Sequence, residues 1–181
     1  MLERGVSMEF FDLVKRRRSI RKYQDRQIER GDLEKIIQAG LCAPNAGGGQ
    51  RAIIVAVRNR ALCEKIGRLN IAKFNRNSLA GSYVSSEQPS IIDDPSIRSG
   101  FYGAPTVCAV FGPKNFLYSV ADAFCCAENM ALAATELGLA SCLIARGEET
   151  FDNEPGAALL KEWRIQDLMA APPSWLPGHR G

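Results

Sequence analysis

Six positive charges fall within the eight residues from Lys15 to Lys22, in the stretch KRRRSIRK. Arginine presents a planar fork of donors that matches phosphate oxygens, and the hydroxyl of Ser19 adds a short, oriented donor beside it. The chemistry these residues can do is to hold an anion. The residues alone leave four readings open: a nucleic-acid backbone, a membrane surface, one small phosphate group, or a solvated helix end whose charges suit the C-terminal dipole. The whole chain narrows them. Its formal net charge is only +3 over 181 residues, whereas a nucleic-acid binder carries a broader basic excess. No apolar run is long enough to span a bilayer, and the N-terminus has no apolar signal core. Neither nucleic acid nor a membrane is expected as a partner.

Other chemistry is thin. The only histidine is His179, so no Ser-His-Asp or Cys-His arrangement can form. The six cysteines, Cys42, Cys63, Cys108, Cys125, Cys126 and Cys142, include no C-x-x-C pair, and no metal site is expected. Most lie in apolar runs such as TVCAVF and ASCLIA. They read as small buried hydrophobes of a reduced, cytoplasmic protein. There is no phosphate-binding G-x-x-x-x-G-K-[ST] loop. The glycine triplet at 47–49 does not follow a strand or give G-x-G-x-x-G, which disfavours a Rossmann site. An enzyme so equipped needs a bound organic cofactor for its hard chemistry.

The elements that must position the basic stretch follow from periodicity. Residues 8–17 read as an amphipathic helix, ending where extended chain begins after Ser19. Leu33, Ile36, Ile37 and Leu41 share a helical face, and Pro44 stops that helix before the loop APNAGGGQR. Strands are expected at 52–57, 106–112 and 140–145, and helices at 59–69, 119–139 and 154–165. The 119–139 helix is apolar on nearly every face, which calls for burial all round, most simply against a second copy of the chain. Residues 70–103 are polar and aperiodic, either a lid or a disordered loop. Strands and helices alternate, and one domain is expected over 1–181, with 70–103 as a variable insertion.

Four stretches in order, RRSIRKY (17–23), APNAGGGQ (43–50), GAPTVCAVF (103–111) and ADAFCCAENMALAATELGLASCLI (121–144), resemble the nitroreductase family of FMN-dependent oxidoreductases. The family's usual forms are Arg-x-Ser-x-Arg/Lys before an aromatic, an Ala-Pro-Ser-x-x-Asn-x-Gln-Pro loop, and a long helix closing on GLGSCWI. The resemblance covers roughly residues 8–165. It implies an α+β fold, a three-layer α-β-α sandwich with a central mixed sheet, and a homodimer with flavin at the subunit interface. It implies that Arg17, Arg18, Ser19 and Arg21 hold the FMN phosphate and ribityl chain. Pro44, Asn45, Ala46, Gly48 and Gln50 would lie beside the isoalloxazine of the other subunit. Ile144, Ala145 and Arg146 would lie against the flavin face, with Asn75 as a further contact. NAD(P)H would deliver a hydride to flavin N5 and leave, and a nitroaromatic or quinone would follow it. No side chain need be catalytic, because the chemistry sits on FMN.

Two departures from that pattern stand out. The loop reads NAGGGQR, with Gly48 for an asparagine and Arg51 for a proline. The tail, QDLMAAPPSWLPGHRG, replaces the family's strand and phosphate-closing basic segment. Three prolines in six residues argue against a central strand there, so residues 166–181 are expected to be an atypical tail, truncated or read through a frameshift, with Arg180 a partial substitute. A protein that lost that segment could bind flavin or dimerise with little turnover, which is the alternative function.

Overall fold

The computed structural model describes the backbone of residues 9–72, 74–165, 169–170 and 174–178. Helix α1 (Phe10–Arg16) leads through extended chain to α2 (Arg30–Leu41). Strand β1 (Ile53–Val57) is followed by α3 (Arg60–Ala72), and a long connection reaches β2 (Val107–Pro113). Helix α4 (Ser119–Glu136), β3 (Ala140–Ile144) and α5 (Glu154–Glu162) come next, then β4 (Met169–Ala170) and β5 (Ser174–Gly178).

The sheet runs β1-β2-β5-β3, with β4 pairing β2. Each of these strand pairs is antiparallel. Outside these strand pairs, an isolated parallel bridge joins Ser19 to Ser141 of β3. Both faces of β2 are buried, and its successive side chains alternate between them. Cys108 and Val110 pack with Leu33, Ile36, Ala127 and Met130 of α2 and α4. Val107 packs on the opposite face with Cys63, Ile66 and Leu159 of α3 and α5, and Ala109 and Phe111 with Phe151 and Ile165. The result is the three-layer sandwich: α2 and α4, the sheet, then α3 and α5.

Local chemistry explains the element ends. Asn153 caps α5 by accepting from the Gly156 N–H at 2.9 Å, with Pro155 in the first turn, where its missing donor costs nothing. Gly138, at φ +72°, closes α4. Gly40 lets α2 approach α4: a Cβ there would fall 2.6 Å from Met130 Cγ and 3.0 Å from Cys126 Sγ.

Within one chain, α4 has an inner face that carries the buried Ala123, Cys126, Ala127, Met130 and Ala134, while Val120 and Phe124 are 57% and 37% exposed. One expectation needs correction, that for the tail. Residues 174–178, Pro177 included, form β5 in the middle of the sheet. Strand β5 meets β2 only through Ser174↔Ala109 and Trp175↔Cys108. Pro177 lies opposite Ser141 of β3 and past the start of β2, so on the β2 side it behaves as an edge residue, where proline is tolerated. Met8, Pro172, Pro173, His179 and Arg180 lie outside the described residues.

Candidate functional site

The basic stretch is ordered by two elements. Its first half ends α1, and its second half runs beside β3, where the Ile20 N–H donates to the Ser141 carbonyl at 2.9 Å. The charges then diverge. Arg18 turns back on its own helix, its Nη1 donating to the Lys15 and Arg17 carbonyls at 2.6 and 2.7 Å. That satisfies carbonyls a helix end leaves open. Arg17 faces Glu128 of α4 at 3.8 Å, with about a third of its side chain exposed. An ion pair that long and that wet is weak, so the guanidinium remains available to a stronger anion.

Arg21 points the other way. Its N–H donates to Gln88 Oε1 at 3.2 Å, and its Nη1 to the Gln88 carbonyl at 2.9 Å. The guanidinium lies 5.7 Å from the Tyr102 ring centroid. Its Nε is buried without an acceptor, an unmet donor of the kind that costs about 1–3 kcal/mol. Arg21 lines a cavity of about 510 Å³ together with Lys22, Glu64, Gln88, Arg98 and Tyr102. Volumes of that order suit small-molecule ligands.

The 84–103 wall of this cavity is built, not loose. Asp93 accepts from the N–H groups of Val84 at 2.7 Å, Ser85 at 3.2 Å and Ser90 at 2.8 Å. Those N–H groups, Ser90's foremost, pull its carboxyl down to about 2. Farther along, the Gly100 N–H donates to the Gly67 carbonyl of α3 at 2.9 Å. The tyrosine hydroxyl of Tyr102, half-buried on the wall, has its pKa raised, mainly by burial. Residues 84–103 therefore form a structured wall, preceded by a 3-10 turn at Arg76–Leu79.

The segment after β3 is also held. Arg146 donates from Nε to Glu149 Oε1 at 2.6 Å and lies 4.3 Å from the Phe74 ring centroid. Its carbonyl accepts from Nδ2 of the buried Asn70 at 2.8 Å. The Arg146 guanidinium is thus occupied, and its backbone is fixed. Ile144 packs into the α3–α5 cluster, and Ala145 is exposed. Asn75 accepts from the Asn77 N–H at 3.0 Å and caps the 3-10 turn; it is not among the residues that line the cavity.

The loop 43–51 sits elsewhere in the same chain. The Ala46 N–H donates to Asp122 Oδ1 at 3.0 Å, six residues from Glu128 and so about 9 Å away along α4 at 1.5 Å per residue. Asn45 Oδ1 accepts from the Gln50 N–H at 2.9 Å. Pro44, Gly48 and Gln50 are exposed, and Ala46 is half-buried. One chain thus brings Arg17, Ser19, Arg21 and the post-β3 segment to one edge of the sheet, and keeps the loop near the start of α4. Gln88 and Asp93 carried no sequence signal, because a polar loop residue looks the same whether or not it grips an arginine.

The match to the protein-family model described as Nitroreductase family covers residues 14–167. The chain belongs to the nitroreductase family. The family match stops where the pattern of the tail departs. Among curated relatives, an Archaeoglobus fulgidus protein provisionally named NADH dehydrogenase/NAD(P)H nitroreductase is 30% identical over 135 residues, 74% of this chain and 65% of that one. A Methanothermobacter thermautotrophicus protein of the same provisional name is 42% identical over 59 residues, 33% of this chain and 31% of that one. This nitroreductase-family chain therefore aligns with less than two thirds of the length of either relative. Among solved structures, a Bacteroides fragilis nitroreductase with bound FMN superposes with a TM-score of 0.77 at 26% identity, over 97% of this chain and 90% of that one. A Desulfitobacterium hafniense nitroreductase with bound FMN shares the fold, with a TM-score of 0.70 at 24% identity over 94% and 88%. Among the described residues no helix is long and apolar enough to cross a membrane. The described cysteines are all free thiols.

Proposed function

We propose that the protein is an FMN-dependent oxidoreductase that draws electrons from NAD(P)H and passes them to a small oxidised acceptor such as a nitroaromatic or quinone. The observation that carries this reading is the Ser19–Ser141 bridge. It lays Arg17, Ser19 and Arg21 along the edge of β3, and Arg21 ends at a ligand-sized cavity.

The residues fit the cofactor. Arg17 is partly exposed and only weakly paired, and with the Ser19 hydroxyl it suits a phosphate dianion. Arg21 has a buried donor without an acceptor, which a polar edge of a ring or ribityl chain would complete after a small adjustment. Bound FMN would supply the redox chemistry, relaying a hydride through flavin N5 from donor to acceptor in ping-pong order. The protein's part is to bind, orient and exclude water. The Ile144–Arg146 backbone, anchored by Asn70, would support one face of the ring. The cavity between Arg21, Arg98 and Tyr102 would admit donor and acceptor in turn.

A second copy of the chain completes the proposal. Phe10, Phe11 and Val14 of α1 are 60%, 75% and 44% exposed, and so are Val120 and Phe124 of α4 at 57% and 37%, on two helices that pack together. Exposed apolar side chains grouped on neighbouring helices suit an interface. The 43–51 loop is tied to Asp122 at the same end of α4, so that a partner seated there would receive Pro44, Asn45, Ala46, Gly48 and Gln50 near its own flavin.

The test is a visible spectrum of the purified protein, followed by NADH or NADPH under anaerobic conditions. A flavin-like absorption that bleaches on addition is the expected result. A protein that stays colourless after FMN is supplied rejects the proposal.

A further inference from the structure

The glycine triplet and Arg51 form one device. Gly47 and Gly48 adopt φ of +67° and +62°, which L side chains resist. Gly49 has an ordinary backbone, φ −82° and ψ −6°, so its lack of a side chain needs another reason. The reason is Arg51. A Cβ on Gly49 would fall 2.2 Å from both Cζ and Nη1 of that arginine and 2.6 Å from Nη2. The guanidinium lies folded over the loop, donating from Nη1 to the Ala46 carbonyl at 3.0 Å. Its Cζ lies 4.9 Å from the Phe116 ring centroid, within cation–π range. Asn45 closes the same turn through the Gln50 N–H, and Asp122 fixes it to α4 through the Ala46 N–H. Arg51 thus bridges the loop to the segment between β2 and α4.

We propose that Arg51 is a positioning residue: its guanidinium, seated on Gly49, sets the shape of the 45–51 loop and through it the grip on FMN. The inference rests on the function proposed above. It assigns a role to Arg51, which stands where the family's pattern has a proline. An arginine bridging to an aromatic ring takes over the shaping that a rigid proline ring would give.

Gly49→Ala is a selective probe, because the three atoms nearest its methyl group all belong to the movable end of Arg51 while the backbone accepts alanine. The experiment titrates FMN into the apoproteins of wild type, G49A, R51A and the double variant by flavin fluorescence. The Arg51 Nε–H resonance is followed in parallel, since the Phe116 ring current shifts it. Each single variant is expected to weaken FMN binding about five-fold, the scale of one exposed hydrogen bond. The double variant should be no weaker than R51A, because both changes remove the same contact. G49A should return the Nε–H resonance to its random-coil position. Single variants with wild-type affinity, or effects that multiply in the double variant, overturn the role of Arg51 while leaving the function standing. A wild-type protein that takes up no FMN overturns both.

Discussion

The guanidinium of Arg21 and the main-chain carbonyl of Gln88 meet at 2.9 Å across 67 residues of sequence. This contact joins the edge of β3 to the structured wall of the cavity. The Gln88 side chain adds a second link by accepting the Arg21 N–H. Gln88→Leu keeps the volume and removes that acceptor. It should destabilise the protein by about 1 kcal/mol, read by urea unfolding, and raise the KM for the acceptor more than it lowers kcat. Unchanged stability and kinetics would show that the side-chain link is idle.

The arginines of the basic stretch should separate on mutation. Arg17→Ala is expected to weaken FMN binding about ten-fold, as one partly exposed charge-assisted contact is lost. Arg18→Ala should leave FMN affinity near wild type, because Arg18 is engaged with the carbonyls of Lys15 and Arg17. Flavin fluorescence titration of the two apoproteins decides. An Arg18 effect as large as that of Arg17 would mean that Arg18 leaves the helix end when FMN binds.

Asp93 gives the cavity wall a pH limit. Its folded pKa is depressed to about 2 by the N–H groups of Ser90, Val84 and Ser85, against about 3.9 for a free aspartate. A depressed carboxylate contributes stability that is complete above the unfolded value and is lost as pH falls through the folded one. The 84–93 loop should therefore stay closed at pH 5 and open between about pH 4 and 2. In NMR spectra the amide resonances of Val84, Ser85 and Ser90 should titrate together with a midpoint near 2. A midpoint at the free-aspartate value would disprove the clasp.

The outer face of α4 predicts its own assay. Phe124→Glu, at a position 37% exposed beside the exposed Val120, places a charge in the proposed interface without touching the core. Wild type should sediment as a dimer and the variant as a monomer with weakened FMN binding. A variant that remains dimeric would move the interface to another face.

The family pattern and most elements were legible before the structure. Strands at 52–57, 106–112 and 140–145 and the helices between them answer to local period, and the observed elements fall within a few residues of them. Local rules failed at the tail. Its prolines read as a bar to any central strand, yet β5 is inserted there because its pairing with β2 stops at Trp175.

What the sequence determined by itself was the inventory and the order: a phosphate-suited cluster, a loop that departs from the family's pattern, and strands and helices of the right period. These depend on neighbours a few residues apart, which the sequence displays directly. What the tertiary structure decided was which partner each cation takes. Arg18 is bound to its own helix, Arg146 to Glu149, Arg51 to its own loop and Phe116, and Arg21 to Gln88 at the cavity wall. Those partners are fixed by packing, some between residues far apart in the chain, and an arginine has the same local signature whichever carbonyl or ring it finds.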